Sequence, residues 1–198
     1  MRKRHLYRCT TGGTIGSGKN QEGVRDLDPQ AQSLTRKLLE KIPYTSYESL
    51  PVKMQGDSSA HPRAHLVDLV QTVIPRANLA DGVVIEHGTD TLNLAAVTTA
   101  LAGNEVLTVP LTFLASIRGP DQEGSDAPEN TITAGYFTAF GNASGVFAVR
   151  PGGIIVTSRH DTPAGSADWH SRGALDLQRA ENNFRIEHYQ LRRKYNRL

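Results

Sequence analysis

The chain has 198 residues, 38% of them hydrophobic, enough for one core, and a single domain is the default at this length. Its formal net charge of +2, from 22 Lys and Arg against 20 Asp and Glu, is too small to argue for a nucleic-acid partner. One cysteine, Cys9, excludes an intramolecular disulfide and fits a reducing compartment, where it reads as a small core residue.

At the amino end, Met1-Arg2-Lys3-Arg4 is basic, but Arg8 and the threonines interrupt the apolar stretch that an export signal needs. Residues 5–10 read instead as a short, partly apolar strand running into Thr11-Gly12-Gly13-Thr14-Ile15-Gly16. The paired glycines permit a turn that a Cβ would resist, so a strand ends here in a loop. Residues 17–26 mix glycines with charges and read as a loop that suits a mobile lid. Asp28-Pro29 starts a helix, and Leu34, Leu38 and Leu39 recur at helical spacing up to Pro43. A second helix is expected from about Pro62, with Leu66, Leu69, Val70 and Val73 on one face, ending before Pro75.

Gly82-Val83-Val84-Ile85 is continuous and β-branched, as a strand covered on both faces should be. It opens into His87-Gly88-Thr89-Asp90-Thr91-Leu92, and the chain continues as a helix to Gly103, a natural stopper. Residues 109–115, 146–149 and 154–157 read as further strands, with a helix near 132–140. This alternation predicts an α/β fold with a parallel sheet and helices on both faces. In such a sheet the loops at the carboxyl ends gather, so two threonines and an aspartate are expected to converge. Residues 179–198 interleave Arg185, Arg192, Arg193, Lys194 and Arg197 with Phe184, Ile186, Tyr189, Leu191 and Tyr195, an amphipathic tail with basic flanks that suits a subunit contact, a cover for exposed surface, a phosphate-bearing ligand or a solvated terminus. No run reaches the length of a membrane span, and a cytoplasmic location is the simplest expectation.

The two glycine- and threonine-rich loops resemble the signatures T-G-G-T-I and H-G-T-D-T of the bacterial-type L-asparaginases and glutaminase-asparaginases. Asp57-Ser58-Ser59 falls where that family carries a substrate-gripping serine, and Ser125-Asp126-Ala127-Pro128-Glu129-Asn130 resembles its S-A-D-G-P-x-N segment. Ile117-Arg118-Gly119-Pro120 is similar to its A-M-R-P stretch with one glycine more. The resemblance runs from about residue 5 to about residue 160. It implies the amino-terminal domain of that family: α/β, a single domain with a mostly parallel sheet flanked by helices.

The same resemblance implies hydrolysis of a side-chain amide. Thr14 would be the nucleophile, Thr89 would help activate it or the attacking water, and Asp90 would bind the substrate's α-amino group. Ser58 would bind the α-carboxylate with Asp57 beside it, and backbone N–H groups around Gly13 and Gly88 would serve as oxyanion donors. No cofactor is implied. The partners implied are a small amide or amino acid and at least one further copy of the chain, because the family builds its sites between subunits. Neither nucleic acid nor a membrane is expected.

Three departures accompany the likeness. The family's D-V-T-K lysine has no counterpart, since no lysine lies between Lys53 and Lys194. His160 or His170 could titrate near neutral pH and take its role. The loop after Thr14 lacks the family's lid tyrosine, and the smaller carboxyl-terminal domain has no counterpart within residues 1–198, which therefore read as one domain. These departures keep two alternatives open: a catalytically degenerate amino-acid-binding or regulatory module, and a specialised enzyme that acts on a different amide or amino donor.

Two other patterns point elsewhere. Gly13 to Lys19 spells G-x-x-x-x-G-K, the phosphate-cradling loop of nucleotide hydrolases, but Asn20 stands where that motif needs Ser or Thr for magnesium. His61 and His65 have the spacing of a one-turn zinc pair, yet Pro62 lies between them and no H-E-x-x-H accompanies them, so no metal site is expected.

Overall fold

The computed structural model describes residues 2–53, 55–60, 62–103, 106–150 and 153–157. His61, His160, His170 and the 179–198 tail lie outside the described residues. In chain order the elements are β1 (Arg4–Thr10), a 3-10 turn (Thr14–Gly16), β2 (Ser17–Lys19), β3 (Arg25–Leu27), α1 (Pro29–Glu40), β4 (Thr45–Ser49), a second 3-10 turn (Ser58–Ala60), α2 (Arg63–Ala77), β5 (Val83–Glu86), α3 (Leu92–Gly103), β6 (Pro110–Leu114), α4 (Ala127–Phe140), β7 (Gly145–Arg150) and β8 (Gly153–Thr157).

The main sheet has the order β4-β1-β5-β6-β7-β8, parallel throughout except for the antiparallel β7–β8 edge. From β1 the chain moves outward to β4, then crosses back to β5 on the other side of β1. The order therefore reverses between β1 and β5, and at such a switch point the loops leaving the carboxyl ends part and open a crevice.

Each face of the sheet has its own core. Val84, Leu114 and Val149 pack under α1 and α4 with Leu39, Ile42 and Ala134. Val83, Ile85, Leu111, Phe113 and Val146 pack under α2 and α3 with Leu69, Val73, Ala95 and Ala96. The helices α3 and α4 both advance the chain by one strand in the same direction, but on opposite faces, so their connections have opposite hands. Nearly all such crossovers are right-handed, and this pair departs from the rule. One consequence is that α4 shares the face of α1.

Local chemistry explains most element boundaries. Asp28 caps α1, its Oδ1 accepting from Gln30 N–H at 2.8 Å, with Pro29 in the first turn. The buried stripe is Ala31, Thr35 and Leu39, so Leu34 of the expected leucine face points to solvent instead. The second helix does not stop before Pro75 but runs through it to Ala77. Proline in the final turn leaves one carbonyl, that of exposed Gln71, without its helical donor, and water can serve it there. The helix expected near 132–140 begins five residues earlier, at Ala127, with Pro128 in its first turn.

Residues 17–26 are not a loose loop. They belong to an antiparallel hairpin in which Ser17, Gly18 and Lys19 pair with Leu27, Asp26 and Arg25. Asn20 builds its turn, with Oδ1 accepting from Glu22 N–H at 3.0 Å and Val24 N–H at 2.9 Å. Cys9 is fully buried, and burial first, then the neighbouring Glu86 charge, push its thiol up to about 12. Among the described residues no helix is long and apolar enough to cross a membrane.

Candidate active site

The site grows from the paired ends of β1 and β5. Their register sets Thr10 beside Glu86, so the two motif loops leave the sheet at the same height. Thr11 ties them together, its N–H and its hydroxyl both donating to the Glu86 carbonyl, at 2.9 and 3.0 Å. Just below, Arg8 grips the fully buried Glu86 carboxylate with two parallel bonds, Nε to Oε1 at 2.8 Å and Nη2 to Oε2 at 2.7 Å. The same Nη2 donates to Thr35 Oγ1 and to the Gln32 carbonyl, each at 3.0 Å, which fastens α1 to both strands.

Above that clamp three loops meet with no room for side chains. Gly12 and Gly13 have φ of 96° and 75°, a region that favours glycine. A Cβ on Gly12 would sit 2.6 Å from the backbone N and O of Gly56, and one on Gly13 would sit 2.5 Å from the backbone N of Gly88. A Cβ on Gly88 would in turn fall 2.5 Å from Ser58 Cβ. Backbone bonds lock the first contact, Gly13 N–H donating to Gly56 O at 2.8 Å and Gly56 N–H to Thr11 O at 3.0 Å. Thr91 Oγ1 donates to Ser58 O at 3.3 Å.

The structure thus brings Gly13, Ser58 and Gly88 into direct contact. Thr14 and Thr89 each follow the glycine at that contact, Thr14 half-buried and Thr89 exposed. Asp90 is exposed and accepts from Thr89 Oγ1 at 3.5 Å, the long limit for a hydrogen bond. Asp57 is also exposed, its Oδ1 accepting from Ser59 N–H and Ser59 Oγ at 2.9 Å, while Ser58 is buried. The Gly13 N–H itself is committed to the Gly56 carbonyl, and a Cβ at this glycine would collide with Gly88.

The turn bearing Thr14 is itself fixed. The Gly13 carbonyl accepts from Gly16 N–H at 3.0 Å and from Ser17 Oγ at 2.6 Å. Ser17 to Lys19 then continue as a strand, whereas a phosphate-cradling loop leads into a helix, so the nucleotide pattern does not hold. His87 is buried beneath the crevice with Nδ1 2.9 Å from the Gly88 carbonyl, packed against Phe113 and His65. The Ser125–Asn130 segment acts as a brace: Asp126 accepts from the N–H groups of Ile117 and Arg118, and Asn130 Nδ2 donates to the Ala115 carbonyl at 2.9 Å. Among the described residues no three His, Cys, Asp or Glu side chains are grouped to hold a metal ion.

Arg8, Glu86, Gly56 and Arg25 escape a motif-based reading. The available signal is clearest for Glu86, a carboxylate that ends the otherwise apolar strand Val83–Glu86, with Arg8 near the end of the partly apolar strand before Thr11.

A doubly wound α/β domain with hydroxyl side chains at its switch point is the class that this geometry defines. The chain belongs to the asparaginase family, since residues 5–161 match the family's amino-terminal domain, described as Asparaginase, N-terminal. Its fold is similar to that of the thermostable L-asparaginase from Thermococcus kodakarensis, at 25% identity and a TM-score of 0.65. It is similar also to L-asparaginase I from Vibrio cholerae, at 21% identity and a TM-score of 0.66. Each likeness covers 78% of this chain and 46% of the other, so the chain spans less than half the length of these solved proteins. No curated protein sequence matches it significantly.

Proposed function

We propose that this domain carries the nucleophile of an asparaginase-like amidohydrolase acting on the side-chain amide of L-asparagine or a related small amide. The observation that supports the reading is that Gly88 packs against both Gly13 and Ser58 at the switch point, so the residues next to Thr14 and Thr89 in the chain meet there. Thr14 Oγ would attack the amide carbon while its proton is taken up, and ammonia would leave with a proton, giving an acyl ester on Thr14. Water would then attack that ester, release the carboxylic acid and return the proton to Thr14. In this reading Thr89 activates, Asp90 takes the α-amino group, and Ser58 with Asp57 takes the α-carboxylate. Backbone N–H groups around Gly13 and Gly88 donate to the developing oxyanion, and His160 or His170 supplies the base that the family draws from lysine. Residues 1–198 act as one domain, and a second copy of the chain completes the site, which sedimentation of the purified protein would reveal as a dimer or larger.

The test is ammonia release from L-asparagine, L-glutamine and small amides, with Thr14→Ala as the control. Release is expected from the wild type and a loss of at least about 1000-fold from the variant. A second reading, a binding or regulatory module, draws on the lack of any lysine between Lys53 and Lys194. It predicts no release from either protein, while asparagine or aspartate raises both melting temperatures.

A further inference from the structure

We infer that Arg25 is a positioning residue for Thr14, clamping the β2–β3 hairpin onto the segment between β6 and α4 and thereby holding the turn that bears the nucleophile. The inference rests on the reading of Thr14 given above.

Arg25 lies on β3, and its guanidinium faces two ways. Nη1 donates to the Ser17 carbonyl at 2.8 Å, while Nη2 donates to both carboxylate oxygens of Asp121, at 3.1 and 3.4 Å. Ser17 passes the constraint on, because its Oγ donates to the Gly13 carbonyl at 2.6 Å, the same oxygen that accepts from Gly16 N–H. One continuous run of bonds therefore joins Asp121, Arg25, Ser17 and Gly13, with Thr14 next in the chain. The segment that carries Asp121 is shaped to receive the guanidinium. A Cβ on Gly119 would lie 2.6 Å from Arg25 Cζ and 2.5 Å from Asp121 Oδ1, so any side chain there would displace the guanidinium. Gly119 belongs to the stretch that is one glycine longer than the similar family segment. Gln122 holds it in place, its Oε1 accepting from Gly119 N–H at 2.9 Å.

The side chains of Arg25 and Asp121 retain 24% and 34% of their exposure, so their ion pair adds little to global stability. What the arrangement supplies is direction. A planar fork can bridge a carbonyl and a carboxylate at once, and an ammonium group can meet only part of that demand.

Hydrogen exchange resolved to residues 14–27 is the primary test, on wild type, Arg25→Gln, Arg25→Lys and Gly119→Ala, the last displacing the guanidinium with both charges kept. Exchange of the Gly16 amide and of the hairpin should quicken about twofold to fivefold in Arg25→Gln and Gly119→Ala, with Arg25→Lys in between. In parallel, kcat for asparagine should fall about tenfold to a hundredfold with KM nearly constant, as a displaced nucleophile requires. Unchanged exchange in both Arg25→Gln and Gly119→Ala overturns the proposal. So does faster exchange confined to residues 18–27 with kcat intact, since the hairpin would then be held without consequence for Thr14. If the wild type releases no ammonia, the nucleophile reading fails by itself, and the Gly16 amide alone decides whether Arg25 holds the turn.

Discussion

Glu86 has no exposed surface, yet it carries a carboxylate at the end of an apolar strand. Such a charge persists only with a matched cation and filled hydrogen bonds, which Arg8 supplies through its two parallel contacts. Removing one partner leaves the other charge buried and alone. Glu86→Gln or Arg8→Met is therefore expected to cost about 3 to 5 kcal/mol, measurable by urea denaturation, while Arg8→Met with Glu86→Leu should recover most of it. Recovery of stability with ammonia release still depressed would assign the pair to orienting Thr11 and the two loops. Equal loss in the single and double variants would mean that packing, and not charge pairing, is what the two residues provide.

At the scale of elements, what could be read in the chain follows from where periodicity and turn chemistry agree. The strand β5 is apolar at three of four positions, and α1 opens with a capping Asp28 and Pro29, so both stand out. The strand β4, Thr45–Ser49, is polar and half-exposed at the sheet edge, so no hydrophobic run marks it; its place is set by parallel pairing with β1. The hairpin after Thr14 is hidden for a similar reason, because its order comes from Asn20, Arg25 and a distant Asp121 rather than from apolar alternation. The site divides along the same line. Motif spacing exposes Thr14, Ser58, Thr89 and their glycines, whereas the Gly12–Gly56 bridge and the commitment of the Gly13 N–H depend on how loops meet in space. Asp28 joins the two kinds of order, since it caps α1 and its carboxylate fills the space beside Gly18 of the hairpin. Asp28→Ala is expected to lower stability by about 1 kcal/mol, read from the denaturation midpoint, and to loosen hairpin amides in exchange. An unchanged midpoint would show that Pro29 alone suffices to start the helix.

On the scale of the whole molecule, β1 and β5 stay paired up to Thr10 and Glu86, where the motif loops leave the sheet, and their alignment is fixed at the other end as well. Asp81 does this from the turn before β5. Its Oδ2 accepts from His5 N–H at 2.9 Å, its Oδ1 from Arg4 at 3.2 Å and from Arg2, and its own N–H donates to the His5 carbonyl at 2.7 Å. Partial desolvation pulls the Asp81 carboxyl upward, but the His5 N–H and the Arg4 and Arg2 guanidiniums outweigh it and hold the group below the usual carboxylate range. A folded-state value lower than the unfolded one, about 3.9, means that the ionised form favours the fold. Its contribution is complete above the unfolded value and disappears as pH falls through the folded one. The melting temperature of Asp81→Asn, which keeps an acceptor for His5 but no charge, should lie below that of the wild type by a constant margin from neutral pH to about pH 5. That margin should narrow below about pH 4 and vanish in stronger acid. Because Asp81 sits at the end of the sheet away from the crevice, ammonia release at neutral pH should be the same in both proteins. A margin that persists into strong acid would trace the effect to geometry instead of charge. A loss of turnover at neutral pH would show that the alignment of β1 and β5 at the Asp81 end is felt by the motif loops at the other.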